Sequence, residues 1–200
     1  MKYLKLINFF VVFWMISGTI TAQSYIPDLY NPRDSIGLYN INVEINKYNF
    51  SGLLLLKKTN DSTIRLVMNS EMGPKLLDME LSPTGYKIIY AFKKLNKKGV
   101  LKIFYEDFGA LSCIIIRKKY PIVNNNLSSN EYIFDIGKKR KIIYTADTLS
   151  RTFISGRIEE RKIIKSIFHY YFVPGTPEIS SMKLKHQNFR MTILLNKIGL

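Results

Sequence analysis

Two histidines and one cysteine are the scarcest reactive groups in this 200-residue chain, set against 15 Asp+Glu. A hydrolytic triad needs an imidazole held between a nucleophile and a carboxylate. His169 lies inside an aromatic run and His186 opens the turn His186-Gln187-Asn188, so both read as structural or exposed. Asp78 and Glu80 share one face of a strand, about 7 Å apart by strand rise, a separation that glycosidases use. No aromatic sugar platform accompanies them, so they read as a solvated face, and Glu106-Asp107 reads the same way. Cys113 begins the apolar run Cys113-Ile114-Ile115-Ile116 and reads as a small buried hydrophobe. A single thiol excludes a disulfide within the chain. Gly52, Gly73, Gly85 and Gly99 never cluster into a phosphate loop. Paired-cysteine and His-Glu-x-x-His spacings are missing from the sequence. These residues predict no enzyme, no metal and no cofactor.

Charge points elsewhere. There are 30 Lys+Arg, for a formal net charge of +15. The densest groups are Lys93-Lys94, Lys97-Lys98, Arg117-Lys118-Lys119 and Lys138-Lys139-Arg140-Lys141, which fall at element ends and turns as solvated charge usually does. The chain is also rich in Lys, Ile and Asn together, the residues of AT-rich codons, which offers a cause of the charge unrelated to any ligand. An anionic membrane surface is the partner this charge would suit.

Residues 1–22 read as a signal peptide. Lys2 and Lys5 precede the apolar run Leu6–Ile16, and Thr21-Ala22 offers small residues for cleavage before Gln23. The run is too short for a comfortable span of about 20 residues. No cysteine follows it, so no lipid anchor is expected. The expectation is an exported protein, periplasmic or outer-membrane associated, with residues 23–200 as one domain. Its net charge is then +13, from 28 basic and 15 acidic residues. Export argues against a nucleic-acid partner.

The elements that would position any site are mostly strands. Tyr39, Ile41, Val43 and Ile45 alternate with polar residues, the period of a half-buried strand. Further strands follow over Phe50–Lys58, Ile64–Met68, Leu77–Leu81 and Tyr86–Phe92, with Tyr86, Ile88, Tyr90 and Phe92 expected on one face. Short polar links make an antiparallel meander the simplest topology. After Lys97 the period changes: Val100, Leu101, Phe104, Phe108 and Leu111 mark an amphipathic helix of about four turns. Gly99 and Gly109 weaken that pattern. Strand patterns resume at Tyr132, Ile142, Phe153, Lys162–Val173, Met182 and Met191, and Pro121–Asn130 reads as a flexible insertion. The fold class is mainly β (α+β): an open antiparallel half-barrel of ten or eleven strands with a helix packed in the concave face.

Strands apolar on one side leave one candidate site, a hydrophobic cleft for acyl chains. Its expected lining is Leu54, Leu56, Leu66, Met68, Leu77, Met79, Leu81, Ile88, Tyr90 and Phe92. The same residues would serve equally as a dry core, and that alternative stays open here.

The order signal peptide, strand, Phe50-Ser51-Gly52-Leu53-Leu54 strand, hairpins, helix near residue 100 and further strands resembles the LolA/LolB-like lipoprotein-carrier superfamily. Ser51-Gly52-Leu53 matches an early strand start of that group, and Gly73-Pro74 before Leu77, Met79 and Leu81 is similar to a later segment. Ile179–Ile198 looks like its closing hairpin. The resemblance covers residues 36–198. It implies a half-barrel that holds lipid or lipoprotein acyl chains, acting as a monomer. The alternative is an exported structural or interaction protein with a dry β core.

Overall fold

The computed structural model describes residues 36–199 except 61, 126–128, 150, 151 and 177. The expected signal segment 1–22 lies outside the described residues.

Twelve antiparallel strands form one open sheet. They are β1 (Ile36–Ile45), β2 (Tyr48–Asn60), β3 (Thr63–Ser70), β4 (Lys75–Ser82), β5 (Gly85–Ala91), β6 (Ile122–Asn125), β7 (Ser129–Gly137), β8 (Arg140–Asp147), β9 (Phe153–Glu160), β10 (Ile163–Phe172), β11 (Ile179–His186) and β12 (Met191–Lys197). The order is β5-β4-β3-β2-β1-β12-β11-β10-β9-β8-β7-β6. Two meanders are thus fused through the pairing of β1 with β12, which sets Ile41 opposite Leu195 and Val43 opposite Ile193. The free edges are β5 and β6. The chain passes between them through α1 (Lys98–Leu111) and a 3-10 turn, Ile114–Ile116.

The twelfth strand corrects the expected count. Ile122–Asn125 belongs to the segment read as a flexible insertion, yet it pairs with β7, Asn125 against Asn130 and Ile122 against Ile133. All four of its residues are exposed. An edge strand with no buried face leaves no hydrophobic alternation to read.

Alternation is the physical basis of the rest. Tyr39, Ile41 and Val43 on β1 are buried while Ile36, Leu38 and Asn40 are exposed. The same rhythm runs through Ile64, Leu66 and Met68 on β3 and Met191, Ile193 and Leu195 on β12. These inward residues join Leu101, Phe104, Phe108 and Leu111 of α1 in one buried cluster. Laid flat, twelve strands would span about 50 Å, whereas a 14-residue helix is about 21 Å long. Side chains on α1 nevertheless bond to the end of β4 and to β8 and β11. The sheet therefore curls round the helix. Gly52 lets β2 and β3 approach closely: a Cβ there would lie 1.9 Å from the Asn69 carbonyl oxygen on β3, so only glycine fits.

Candidate functional site

The inward face divides by residue type. On β2, β3 and β4 it is aliphatic: Leu54, Leu56, Ile64, Leu66, Met68, Leu77, Met79 and Leu81 are each at most 3% exposed. On β7 to β10 it is aromatic. Tyr144 stacks on Phe153 at 4.7 Å and meets Phe134 and Phe168 edge-on, and Phe168 in turn meets Tyr170.

Helix α1 is bonded mainly to the aromatic half and to the adjoining strand β11. Tyr144 Oη donates to the Ala110 carbonyl at 2.7 Å, and Tyr170 Oη donates to the Leu111 carbonyl at 3.2 Å. Both carbonyls lie in the last turn, where few intrahelical donors remain, and that of Ala110 also accepts from the Cys113 N–H at 3.0 Å. Burial raises the Tyr144 phenol well above its ordinary pKa, so it stays a donor. Arg140 on β8 reaches Glu106 at 2.6 Å. Asp107 and His186, 1% and 8% exposed, pair at 2.8 Å between Asp107 Oδ2 and His186 Nε2. Burial is the main influence on Asp107 and raises its pKa; the hydrogen bond to His186 opposes it. Toward the aliphatic half the polar tie is Tyr105 Oη to the Ser82 carbonyl, at 3.1 Å, with Tyr105 against Tyr86.

The other end of α1 is weakly held by its own chemistry. Lys97 is the N-cap without a side-chain cap bond, and the first turn has no acidic residue. Such an end lacks the acceptor and the negative charge that helix N-termini favour. Packing supplies the stability instead. Gly109 is part of it: a Cβ at that position would lie 2.4 Å from Ile115 Cδ1, so the absence of a side chain lets the 3-10 turn fold back against the helix. Between helix and turn stands Cys113, buried, with φ 55°.

Seven of the ten expected lining residues, Leu54, Leu56, Leu66, Met68, Leu77, Met79 and Leu81, fall together on the aliphatic wall, beneath the helix and shielded from solvent. Ile88 is half-buried against the same cluster. Tyr90 and Phe92 correct the expectation. The β4–β5 register shifts so that Met79 opposes Ile88 while Asp78 opposes Tyr90, leaving Ile89 as the extra residue of a bulge. A bulge inverts the alternation beyond it. Tyr90 therefore joins Asp78 on the outer face, 44% exposed, and Phe92 is 42% exposed.

Two carboxylates also depart from the solvated reading. Asp78 has no exposed surface: Arg65 grips it through Nε and Nη2, each at 3.0 Å, and Lys75 Nζ binds it at 2.8 Å. The hydrogen bond from Arg65 is the leading cause that lowers its pKa. Glu80 stays half-buried beside it. Asp107 is the second departure, as its pairing with His186 shows. His186 is structural, as expected, and His169 is exposed on β10. Cys113 is the expected buried hydrophobe.

Ser166 sits opposite His186 in the ladder, its Oγ buried without a hydrogen bond. Ser166 and His186 are thus ladder neighbours and Asp107 is bonded to the histidine, but the serine hydroxyl makes no hydrogen bond to either. Two surface clefts stand out, and both open on the outer face. One of about 410 Å³ is lined by Asn40, Asn42, Asn196, Ser51 and Leu53 among others, and one of about 270 Å³ lies between β10 and β11. Among the described residues no cluster of three metal-ligating side chains forms. No described helix is long and apolar enough to cross a membrane.

An open antiparallel sheet wrapped on a single described helix defines a class of fold. Neither a family model nor a curated protein matches the chain in sequence. Solved structures match it in shape: a LolA superfamily protein from Nitrosomonas europaea has a TM-score of 0.57 at 6% identity, over 86% of this chain and 87% of that one. A DUF1329 family protein from Desulfovibrio piger aligns with a TM-score of 0.47 at 7% identity, over 84% and 85%. The fold is LolA-like.

Proposed function

We propose that the protein is a non-enzymatic carrier for lipid or lipoprotein acyl chains, exported to the periplasm or the outer membrane and acting as a monomeric half-barrel. Residues 1–22 are its export signal and residues 23–200 its single domain. Acyl chains occupy the space between the aliphatic wall and α1 once the helix swings on its tyrosine-held end. The observation that carries this reading is the unequal attachment of α1. Hydrogen bonds and ion pairs hold its C-terminal part to the aromatic half, while apolar packing and one tyrosine hydroxyl hold it to the aliphatic half. Packing against Leu66, Leu77 or Met79 can be exchanged for packing against an alkyl chain at little cost, because the burial term is non-directional. The helix also belongs to no strand ladder, so its displacement breaks no sheet hydrogen bond. The LolA-like fold supports the same reading.

Native mass spectrometry on protein isolated from membranes, with lipid extraction of the same sample, tests it. A bound species of acyl-lipid mass is expected; protein that is empty in every preparation contradicts it.

A second reading, an exported interaction protein with a dry β core, is favoured by one observation: the aliphatic wall is fully covered and both surface clefts lie on the other face. A stoichiometric protein partner captured without lipid would support it.

A further inference from the structure

The outer face of the aromatic half carries a feature that acyl binding does not use. On β11, Lys183 and Lys185 point outward, directly opposite His169 and Ile167 of β10. These four residues, with Tyr171 and Gln187, line the cleft of about 270 Å³. No carboxylate lines it. Lys183 and Lys185 have no ion pair among the described residues, whereas three basic residues on nearby strands are matched. Arg157 on β9 is held by Glu131 and Glu159, Lys165 by Glu160, and Lys197 by Glu178. The outward neighbours of the two lysines on β12 are Leu194 and Thr192, both uncharged. In that row the next carboxylate, Glu44, stands across Thr192, two strands from Lys185.

Two ammonium groups on alternate residues of one strand start about 7 Å apart, close enough for one oxyanion to bridge them. Each lysine is a compact point charge with three donors, suited to phosphate. The Tyr171 hydroxyl, the Gln187 amide and the His169 ring add polar groups at the rim, and Ile167 gives the floor an apolar patch. We propose that this cleft is a binding site for a phosphate group, carried either by a lipid headgroup or by a soluble phosphate ester. The site stands independently of whether acyl chains enter the concave face.

A chain with net charge +15 attracts anions everywhere, so the test must separate a local site from the global field. Lys183→Glu combined with Lys185→Glu is compared with Lys138→Glu combined with Lys139→Glu, which makes the same charge change in the β7–β8 turn. Binding is followed in two arms. In one, inorganic phosphate and glycerol phosphate are titrated and the His169 and Lys183 resonances observed. In the other, the protein is sedimented with vesicles of phosphatidylglycerol and phosphatidylcholine, against phosphatidylcholine alone. The expected result is saturable binding in at least one arm, weakened tenfold or more by the β11 pair and less than threefold by the turn pair. Binding of free phosphate names a soluble ester as the source; binding of vesicles alone names a headgroup. The Lys183→Gln, Lys185→Gln variant should fold as the wild type and lose binding likewise. No binding in either arm overturns the proposal, as does equal loss in the two charge-reversed pairs.

Discussion

The aliphatic and aromatic halves of the concave face are buried to the same extent, yet they hold α1 by different physics. On β8 and β10, tyrosine hydroxyls fix the helix through two carbonyls at defined distances, and on β11 His186 fixes it through Asp107. On β2 to β4, leucines and methionines share one apolar cluster with the same helix, and the directional bond on that side is Tyr105 Oη to the Ser82 carbonyl at the rim. A hydrogen bond broken in a dry interior leaves an unsatisfied group, whereas apolar packing can be restored by any apolar occupant. One half therefore behaves as a hinge and the other as a replaceable wall.

The largest effects should come from cutting the wall and the hinge in parallel. Phe168→Ala and Leu66→Ala each open a cavity and should each cost about 3–4 kcal/mol in urea unfolding. Only Leu66→Ala should raise the uptake of a fluorescent fatty acid. Equal gains in uptake from both variants would erase the distinction.

Next comes the buried pair. Asp107→Ala leaves His186 without its partner and should cost about 3 kcal/mol. It should also speed the labelling of Cys113 by a thiol reagent, because that thiol lies buried just past the helix. An unchanged labelling rate would show that the pair does not hold the helix down.

The tyrosines should follow in order of burial. Tyr144→Phe should cost about 1 kcal/mol, since a buried hydrogen bond is lost while the Ala110 carbonyl keeps the Cys113 N–H, and Tyr105→Phe, at the half-buried rim, about 0.5 kcal/mol. The reverse order would make the aliphatic edge the firmer attachment.

Acid titration offers the smallest and sharpest contrast. The folded protein holds Asp78 below its ordinary value, chiefly through the Arg65 hydrogen bond, so its contribution is present above pH ~3.9. That contribution is lost as the pH falls through the lower folded value. Asp107 is raised, chiefly by burial. Its contribution is full below pH ~3.9 and declines as the pH rises through the folded value. Stability measured from about pH 2 to 6 should therefore lose its acid-side fall in Asp78→Asn and lose an opposing decline in Asp107→Asn. Parallel curves for the two variants would contradict these assignments.

Much of this was legible in the residue pattern. Period-two alternation marks strands because one face of each is buried, and the change of period after Lys97 marks the start of α1. The aliphatic wall was legible for the same reason. What stayed hidden depends on partners distant in sequence or on local register. Asp107 meets His186 from 79 residues away. Asp78 looks solvated until Arg65 and Lys75 close over it. One bulge at Ile89 reverses the facing of Tyr90, and four exposed residues of β6 carry no alternation at all.

Saturation of the wild-type protein with a fluorescent fatty acid, with the labelling rate of Cys113 followed in the same samples, tests the replaceable wall most directly. The account predicts saturable binding of one acyl chain per protein and a shift in the Cys113 rate that tracks occupancy, as the helix yields the aliphatic wall to the ligand. A folded protein that takes up no fatty acid, with a Cys113 rate indifferent to it at every concentration, would contradict the account and leave the concave face a dry core.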